Sequence, residues 1–394
     1  TIMRPKILVD IYEISRTADN VIAAVADEYD KVILVSSEAR NLIGPLNRLE
    51  TYIRTTAHPK SLIRKQFSQD ESNKAVAYFL YLAKTGDVTI DISGGEAFLV
   101  LAATMASKQT PNIRCQTIDP TLKTVYQTSS NISTKKTLEG NTGELSIQQA
   151  FELCGRKFKY NETTAAYSFD EEATLEQLVR YFLTHRYTWP RIIEAASINQ
   201  SVAIGKKPYV RFINWLHSQG LVTMTGGGHW GVSPQYQYIT PFLHNVGLAL
   251  EYFMYKTLLQ SGEFDEVVHS AMLLERNPNN ATHTKTALRA FHEVDVIARR
   301  GFTFYFISCK SGLRQTCVAD MLEVVAVSQI LTPLDCVPVL VELADDPSLA
   351  RKCKLHHCHL VDSFHIKKDT AVSLIYDNPR IVQAVISFSP LRQS

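Results

Sequence analysis

The sequence predicts an α/β protein of two or three domains, and three features of its 394 residues carry that prediction. In the first third of the chain, short apolar runs of β-forming residues alternate with stretches of helical spacing. In the middle, helical stretches precede a hairpin whose tip holds three consecutive glycines, Gly226 to Gly228. Near the C-terminus, two β-rich runs flank an Arg-Arg-Gly turn at residues 299–301.

The N-terminal third is predicted to form a doubly wound domain with a parallel sheet. Its predicted strands are residues 6–12, 31–36 and 88–92, and its predicted helices are residues 17–27, 70–84 and 97–106. Edge strands are expected at residues 114–118 and 124–127. In such a sheet we expect a ligand beyond the carboxyl ends of the strands, where the strand order reverses.

Two loops at these strand ends are candidates for ligand binding. A polar loop, Ser15-Arg16-Thr17 through Asn20, follows the first strand, and Ser93-Gly94-Gly95-Glu96 follows the strand at residues 88–92 and opens a helix. Paired glycines let backbone N–H groups approach a phosphate or a ribose at a helix N-terminus. The G-x-G-x-x-G pattern is missing, which argues against a dinucleotide redox cofactor. A tight turn with a purely structural role is the alternative interpretation.

The middle of the chain is predicted to be a winged-helix-like module. A helix at residues 209–218 follows a break at residues 205–208, and a hairpin pairs residues 221–225 with residues 229–232. In one interpretation this helix reads DNA, with Lys206 and Arg211 on phosphates. In the other it packs the two ends of the protein together. We favour packing because Phe212, Ile213 and Trp215 form a core stripe rather than a basic face.

The β-rich pair of runs contains the most specific chemical signal. Residues 302–309 are nearly all aromatic or β-branched, which predicts a strand buried on both faces. At its end stands Lys310, whose ammonium is costly to bury without an anionic partner. Because side chains two apart share a face, Glu293 and Asp295 point the same way, as do Ser308 and Lys310.

An even-numbered loop centred on Arg300-Gly301 would place Glu293 opposite Ser308, with Asp295 on the same face as Lys310. Carboxylates converging with a lysine form a plausible divalent-metal site with an attached proton-handling amine. The alternative is a structural hairpin whose end charges pair on the surface.

A strongly apolar helix at residues 245–260 carries one acid, Glu251. That acid is either a surface position on an amphipathic stripe or a buried ligand. Further strands are predicted at residues 265–274, 337–343 and 355–361, and a further helix at residues 320–330. A rival zinc site could involve Cys353, His356, His357, Cys358 and His359. We regard these as ordinary strand residues, because alternation along a strand sends neighbours to opposite faces.

Composition limits the remaining possibilities. An apolar fraction of 45% and a charged fraction of 20% indicate a globular protein, and a net charge of +2 confines nucleic-acid contacts to local patches such as Arg299-Arg300. We expect no membrane span and no secretory signal, because long apolar runs are missing. Seven cysteines without regular spacing favour reduced thiols and a cytoplasmic setting.

The Glu-Val-Asp and Ser-Cys-Lys sequences on adjacent strands resemble the core of PD-(D/E)xK restriction-type nucleases. The chain is similar, more narrowly, to CRISPR ancillary nucleases of type III systems, in which a Rossmann-like CARF sensor precedes such a domain. In the usual pattern an acid stands two residues before the lysine, where this chain has Ser308. The resemblance implies a CARF domain over residues 1–143, a linker and winged-helix-like module over 144–238, and a restriction-endonuclease-like α/β domain over 239–394.

The resemblance also implies a function and a set of site residues. Related sensors bind cyclic oligoadenylates across a two-fold homodimer, and we expect the cyclic tetra-adenylate as activator. The implied ligand-binding residues are Ser15, Arg16, Thr17, Asn20, Ser36, Ser93, Gly94, Gly95 and Glu96. Many relatives have Thr-Lys after the glycines, where this chain has Glu96-Ala97.

For the nuclease domain, the resemblance implies Mn²⁺ or Mg²⁺ bound by Glu251, Asp295 and the Cys309 carbonyl, and cleavage of single-stranded RNA, DNA or both. Lys310 would steady the attacking water, while Glu293 would replace the acid absent at Ser308 or pair with Lys310. The alternative function is a nucleotide-sensing DNA-binding regulator whose nuclease-like domain is inactive.

Overall fold

The structure, a computed structural model, describes residues 4–37, 43–119, 124–129, 133–137, 145–160, 168–185, 207–226, 229–276, 288–310, 318–331, 334–342 and 347–361. These residues form a seven-stranded sheet, a two-stranded hairpin and a six-stranded sheet. Helices pack on the two larger sheets. Among the described residues, no helix has both the length and the apolar character needed to cross a lipid bilayer.

The N-terminal sheet has the order β3-β2-β1-β4-β5-β6-β7. Its strands are β1 (Lys6–Ile11), β2 (Lys31–Ser37), β3 (Ser61–Phe67), β4 (Asp87–Asp91), β5 (Ile113–Asp119), β6 (Thr124–Thr128) and β7 (Ser133–Thr137). The first five strands are parallel to one another, and the pairs β5–β6 and β6–β7 are antiparallel. The predicted parallel sheet is confirmed, and its central strands are buried on both faces because helices cover both sides.

The helices of this domain are α1 (Thr17–Val25), α2 (Ile43–Thr56), α3 (Ser72–Thr85) and α4 (Ala97–Ser107). Local sequence patterns did not predict α2, β3 or β7. The edge strand expected at residues 114–118 is the inner strand β5, which lies between β4 and β6. The strand β3 escaped notice because only Leu62 and Phe67 are buried, so its sequence lacks an apolar run.

The middle segment contains α5 (Ile147–Leu153), β8 (Lys157–Tyr160), α6 (Phe169–Thr184), α7 (Lys207–Ser218) and the hairpin of β9 (Val222–Thr225) and β10 (His229–Val232). Tyr209, Phe212 and Ile213 of α7 are buried, and the indole N–H of Trp230 on β10 donates to the Tyr209 hydroxyl over 2.6 Å. The core stripe predicted for this helix is therefore present. Lys206 and the glycines 227 and 228 lie outside the described residues.

The C-terminal sheet has the order β15-β14-β13-β12-β11-β8. Its further strands are β11 (Glu266–Arg276), β12 (Leu288–Arg300), β13 (Thr303–Lys310), β14 (Asp335–Glu342) and β15 (His359–Val361). The neighbouring helices are α8 (Thr240–His244), α9 (Val246–Ser261), α10 (Val318–Ser328) and α11 (Pro347–Leu355). Because β8 pairs with β11, this sheet includes residues that the sequence analysis assigned to the linker module before residue 239.

The hairpin between β12 and β13 corrects the predicted register. Arg300 pairs with Thr303, so the two-residue turn is Gly301-Phe302, and it is not centred on Arg300-Gly301. Gly301 adopts φ of 61°, which glycine allows without steric cost. Val296 pairs with Ile307, and continuing that register by one residue places Asp295, not Glu293, opposite Ser308.

The prediction of a strand over residues 355–361 is correct only for its last three residues. Cys353 lies in α11, the backbone turns at His356 and His357, and only His359–Val361 form the strand β15. Within the described ranges, no group of three or more His, Cys, Asp or Glu side chains is arranged to hold a metal ion, these cysteines and histidines included.

The two large sheets are joined by a continuous apolar core. It passes from Leu49 and Ile53 of α2 through Phe151 of α5 to Phe306 of β13. The Phe151 ring centroid lies 4.5 Å from that of Phe158 and 6.4 Å from that of Phe306. Since packed cores resist continuous deformation, this joint mechanically links the N-terminal and C-terminal domains.

Candidate functional site

The first candidate site lies where β1 and β4 end side by side. Asp10 and Asp91 are partners in the parallel register, so the loops that follow the two strands meet. Gly95 has φ of 100°, and a Cβ there would lie 2.1 Å from Ile11 Cγ2. A Cβ on Gly94 would lie 3.2 Å from the Cβ atoms of Arg16 and Glu13. The paired glycines therefore serve the close approach of one loop to the other.

Glu13, which the sequence analysis passed over, bridges these loops. The Gly95 backbone N–H donates to Glu13 Oε2 over 2.8 Å, and the Ser15 hydroxyl donates to Glu13 Oε1. Beside it, Arg16 Nε donates to Asp19 Oδ2 over 2.5 Å. The sequence offered one signal for Glu13: an acid at the start of the polar loop that follows the strand.

Burial separates the predicted ligand-binding residues into two groups. Ser15 and Glu96 are exposed, and Arg16, Ser93 and Gly95 are partly exposed. The other four are buried, namely Thr17, Asn20, Ser36 and Gly94. The Thr17 hydroxyl donates to the Ile14 carbonyl and Asn20 Nδ2 donates to the Ile11 carbonyl, so these two side chains support the first loop from beneath. A direct ligand contact by the four buried residues remains a prediction that needs the loops to move.

Beneath the loops lies a buried pair of carboxyl groups. Asn20 Nδ2 donates to Asp10 Oδ1 over 2.5 Å, and the Ser93 hydroxyl donates to Asp91 Oδ1 over 2.8 Å. The Oδ2 atoms of both aspartates are buried without a hydrogen-bond partner among the described residues. Burial raises the pKa of Asp10 to about 8, and burial together with the neighbouring Asp10 raises the pKa of Asp91 well above its usual value. Ionising both buried groups at once is energetically unfavourable, so the pair holds a proton near neutral pH.

The second candidate site lies at the end of β13. Glu251 projects from α9, Asp295 from β12 and Lys310 from the last position of β13. The Cys309 backbone N–H donates to Asp295 Oδ2 over 2.6 Å, and the Ser308 hydroxyl approaches the same oxygen at 3.4 Å. Ser308, at the position where an acid was expected, thus acts as a donor that helps orient Asp295.

The charges of these groups shift one another's pKa values. Burial is the main cause that raises the pKa of Glu251 to about 8, and the charges of Asp295 and Glu293 raise it further while Lys310 opposes them. Burial likewise raises the pKa of Asp295 to about 6, against the Cys309 hydrogen bond and the Lys310 charge. The structure therefore brings Glu251, Glu293, Asp295 and Lys310 within mutual electrostatic reach. Clustered acids with raised pKa values are typical of functional sites.

Acids that the sequence analysis did not consider surround Lys310. Its Nζ lies 3.8 Å from an Asp320 oxygen and 3.9 Å from a Glu323 oxygen, both on α10. Its register partner on β14 is Glu342, which is only 2% exposed. With its side chain 31% exposed, Lys310 is neither buried nor turned fully into solvent. No local sequence pattern could have revealed these neighbours, because α10 and β14 reach Lys310 only through the tertiary fold.

His269 and Ser270 on β11 also join this site and were missed. The His269 Nε2 atom lies 3.9 Å from a Glu251 oxygen, but burial lowers the pKa of His269 to about 4. The ring is therefore neutral at pH 7, and the contact is not an ion pair. Ser270 adopts φ of 54°, and its hydroxyl donates to Glu293. A non-glycine residue at positive φ often marks a functional site.

Arg299, by contrast, is removed from the candidates for nucleic-acid contact. It is 3% exposed and lies 3.3 Å from an Asp265 oxygen and 3.4 Å from a Glu266 oxygen. Its Nη1 also donates to the Gly301 carbonyl over 3.0 Å, so it braces the turn between β12 and β13.

The carboxylate oxygens of the second site are the kind of ligand that a divalent cation such as Mg²⁺ prefers. Glu251 and Asp295 are hard oxygen donors in a partly buried setting, and each becomes a charged ligand when it loses its proton. Over the described ranges they do not form a cage of three or more metal-binding side chains. Mg²⁺ fits such a site, because it commonly takes one or two carboxylates and completes its shell with waters and phosphate oxygens.

No protein-family model and no curated protein sequence matches the chain. Solved structures match over nearly its whole length. Protein VC1899 from Vibrio cholerae has a TM-score of 0.71 at 12% identity and covers 97% of this chain and 98% of its own. Can2 from Sulfobacillus thermosulfidooxidans, solved in complex with cyclic tetra-adenylate, has a TM-score of 0.67 at 12% identity and covers 98% of both chains.

At identities this low, the TM-scores establish a common fold and nothing further. The predicted α/β fold class is thereby confirmed, with a seven-stranded N-terminal sheet, a two-stranded hairpin in the middle segment and a six-stranded C-terminal sheet.

Proposed function

We propose that this chain is a nuclease that is activated by a cyclic oligoadenylate, most simply the cyclic tetra-adenylate, and that acts in type III CRISPR defence. The observation that carries the proposal is the gathering of Glu251, Asp295 and Lys310 at the end of β13, in a fold shared over 98% of the chain with a protein solved with cyclic tetra-adenylate. Single-stranded RNA, DNA or both are the proposed substrates.

Phosphodiester cleavage defines what the second site must do. Negative charge develops on the phosphoryl and leaving oxygens, and a water aligned with the breaking bond must lose a proton. A Mg²⁺ or Mn²⁺ ion held by Glu251, Asp295 and the Cys309 carbonyl would supply polarisation of the phosphate and of that water.

The chain's own residues complete the site. The Cys309 N–H and the Ser308 hydroxyl fix the orientation of the Asp295 carboxylate. Lys310 Nζ donates to the attacking water or to a phosphoryl oxygen, while Asp320 and Glu323 hold the ammonium from the side of α10. Glu293, tied to Ser270, lies beside Glu251 and supplies a further acceptor for water.

The sensor site is proposed at the loops after β1 and β4. Ser15, Arg16, Ser93, Gly95 and Glu96 are the accessible members of the predicted set. Activation would shift the population toward an arrangement that is competent for cleavage, transmitted through the apolar core joining α2, α5 and β13.

A homodimer is part of the proposal. Tyr81 of α3 and Leu101 and Met105 of α4 are large apolar side chains that are 59%, 62% and 51% exposed. Exposed apolar side chains grouped on packed helices are common at protein interfaces. Sedimentation of the purified chain tests this part directly.

Incubation with single-stranded RNA and single-stranded DNA, with and without cyclic tetra-adenylate and Mn²⁺ or Mg²⁺, tests the function. We expect cleavage that requires both additions. A matched pair of variants assigns the site: Lys310→Ala abolishes cleavage, whereas Lys159→Ala, which removes an exposed lysine of the same sheet, leaves it intact.

The second candidate function is a nucleotide-sensing DNA-binding regulator, and Ser308 in place of an acid is the observation that favours it. Tight, sequence-specific binding of duplex DNA without cleavage of any strand would establish the regulator instead. The buried stripe of Tyr209, Phe212 and Ile213 argues against α7 as a reading helix, because these residues face the core.

A further inference from the structure

Glu13 accepts hydrogen bonds from both loops of the proposed sensor site. Its two carboxylate oxygens accept separately, Oε2 from the Gly95 backbone N–H over 2.8 Å and Oε1 from the Ser15 hydroxyl. One donor belongs to the loop after β4 and the other to the loop after β1. A phosphate group at this junction would need the same two donors.

The glycine geometry shows that this contact is built into the fold. A Cβ on Gly94 would lie 3.2 Å from the Glu13 Cβ and 3.2 Å from Glu13 Oε2, so a side chain there would crowd the carboxylate. The positive φ of Gly95 turns its N–H toward Glu13, and only glycine fits there because Ile11 lies directly behind. The turn that was predicted to cradle a phosphate therefore already cradles an anion of the chain itself.

We propose that Glu13 is an internal competitor of the activator, whose carboxylate holds the anion-binding donors of the unliganded sensor and is displaced when a phosphate of the ligand binds. The inference rests on the proposed function and deepens it, because it names the residue that sets the affinity of that site. It also predicts a property of the ligand, which must be an anion that accepts two hydrogen bonds at once.

Displacement has a free-energy cost that the ligand must meet. Two hydrogen bonds to a charged carboxylate are broken, and the carboxylate stays partly buried beside the incoming negative charge unless the loop moves. Hydrogen bonds to charged groups are strong enough that removing the competing Glu13 carboxylate should change the affinity for the ligand about tenfold or more. Arg16, although close by, offsets little of this charge because its guanidinium is paired with Asp19.

The test measures the affinity of the full-length protein for cyclic tetra-adenylate by calorimetry at low salt. Glu13→Ala removes the carboxylate, and we expect it to bind about tenfold more tightly than the wild type. Glu13→Gln keeps an acceptor of nearly the same size but removes the charge, and we expect an intermediate gain. The matched control is Glu28→Gln, which removes an exposed carboxylate just before β2, at the amino ends of the parallel strands, and should leave affinity unchanged.

Three results would overturn the inference. Equal affinity of Glu13→Ala and the wild type shows that the carboxylate does not compete, while the sensor function stands. Weaker binding by both Glu13 variants shows that Glu13 contacts the ligand, for example through a ribose hydroxyl. Binding by none of the four proteins removes the cyclic tetra-adenylate sensor, and the inference falls with the proposed function. Because Glu13→Gln is nearly isosteric, it keeps the test interpretable if Glu13→Ala fails to fold.

Discussion

Replacing Asp10 by asparagine is expected to change how the stability of the protein depends on pH. Asp10 and Asp91 are fully buried neighbours on β1 and β4, and each has an Oδ2 atom without a partner among the described residues. An asparagine at position 10 carries no charge at any pH and can still accept from Asn20 through its own amide oxygen.

The sign follows from the raised pKa. The pKa of Asp10 is about 8 in the folded protein against a usual value of 3.8, so the folded state holds a proton that the unfolded state has released across this window. The stability of the wild type therefore falls as pH rises from about 4 to about 8, with a slope of up to about 1.4 kcal/mol per pH unit for one such proton. Asp10→Asn removes this contribution, so the variant gains stability relative to the wild type as pH rises.

Thermal or denaturant unfolding between pH 5 and pH 8.5 measures the effect. The control is Asp70→Asn, an exposed aspartate of the same domain, which should leave the pH profile of the wild type unchanged. Parallel profiles for the wild type and Asp10→Asn would refute the reasoning, since they would mean that Asp10 releases its proton equally in the folded and unfolded states.

Three further predictions concern other parts of the molecule. Gly95→Ala should destabilise the N-terminal domain by about 1–3 kcal/mol, because the residue has positive φ and its Cβ would lie 2.1 Å from Ile11; an unchanged unfolding midpoint contradicts this. Phe151→Ala should cost about 3–5 kcal/mol in unfolding experiments, because its fully buried ring joins the two domains; a loss below about 1 kcal/mol would show that the joint is not needed. Mn²⁺ affinity should rise with pH between about 6 and 8 as Asp295 and then Glu251 lose their protons, and a pH-independent affinity measured by titration would count against these ligands.

Local sequence patterns predicted the helices and strands that are marked by residues within or next to the element itself. The strand β13 was recognisable because every residue from Phe304 to Ile307 is apolar and buried, and parity alone placed Ser308 and Lys310 on one face. Asn245, which accepts from the Gly247 and Leu248 N–H groups, marks the start of the helix that carries Glu251. These features depend on residues close together in the chain.

Features set by tertiary contacts were not predictable in the same way. The register of β12 on β13 was misplaced because the turn uses Gly301-Phe302, and Phe302 is a buried side chain that local turn rules do not select. Glu342 and His269 were missed because they reach the site from strands that neighbour β13 and β12 only in the folded sheet. Glu13 was missed because its partner, Gly95, lies 82 residues further along the chain.

The most direct test of the account separates activator binding from cleavage in single-residue variants of the second site. Asp295→Asn and Lys310→Ala should bind cyclic tetra-adenylate as tightly as the wild type, because the sensor loops are untouched, and should lose activator-dependent cleavage of single-stranded nucleic acid by at least about a hundredfold. Cleavage that persists at the wild-type rate in both variants would place the chemistry elsewhere and contradict the assignment.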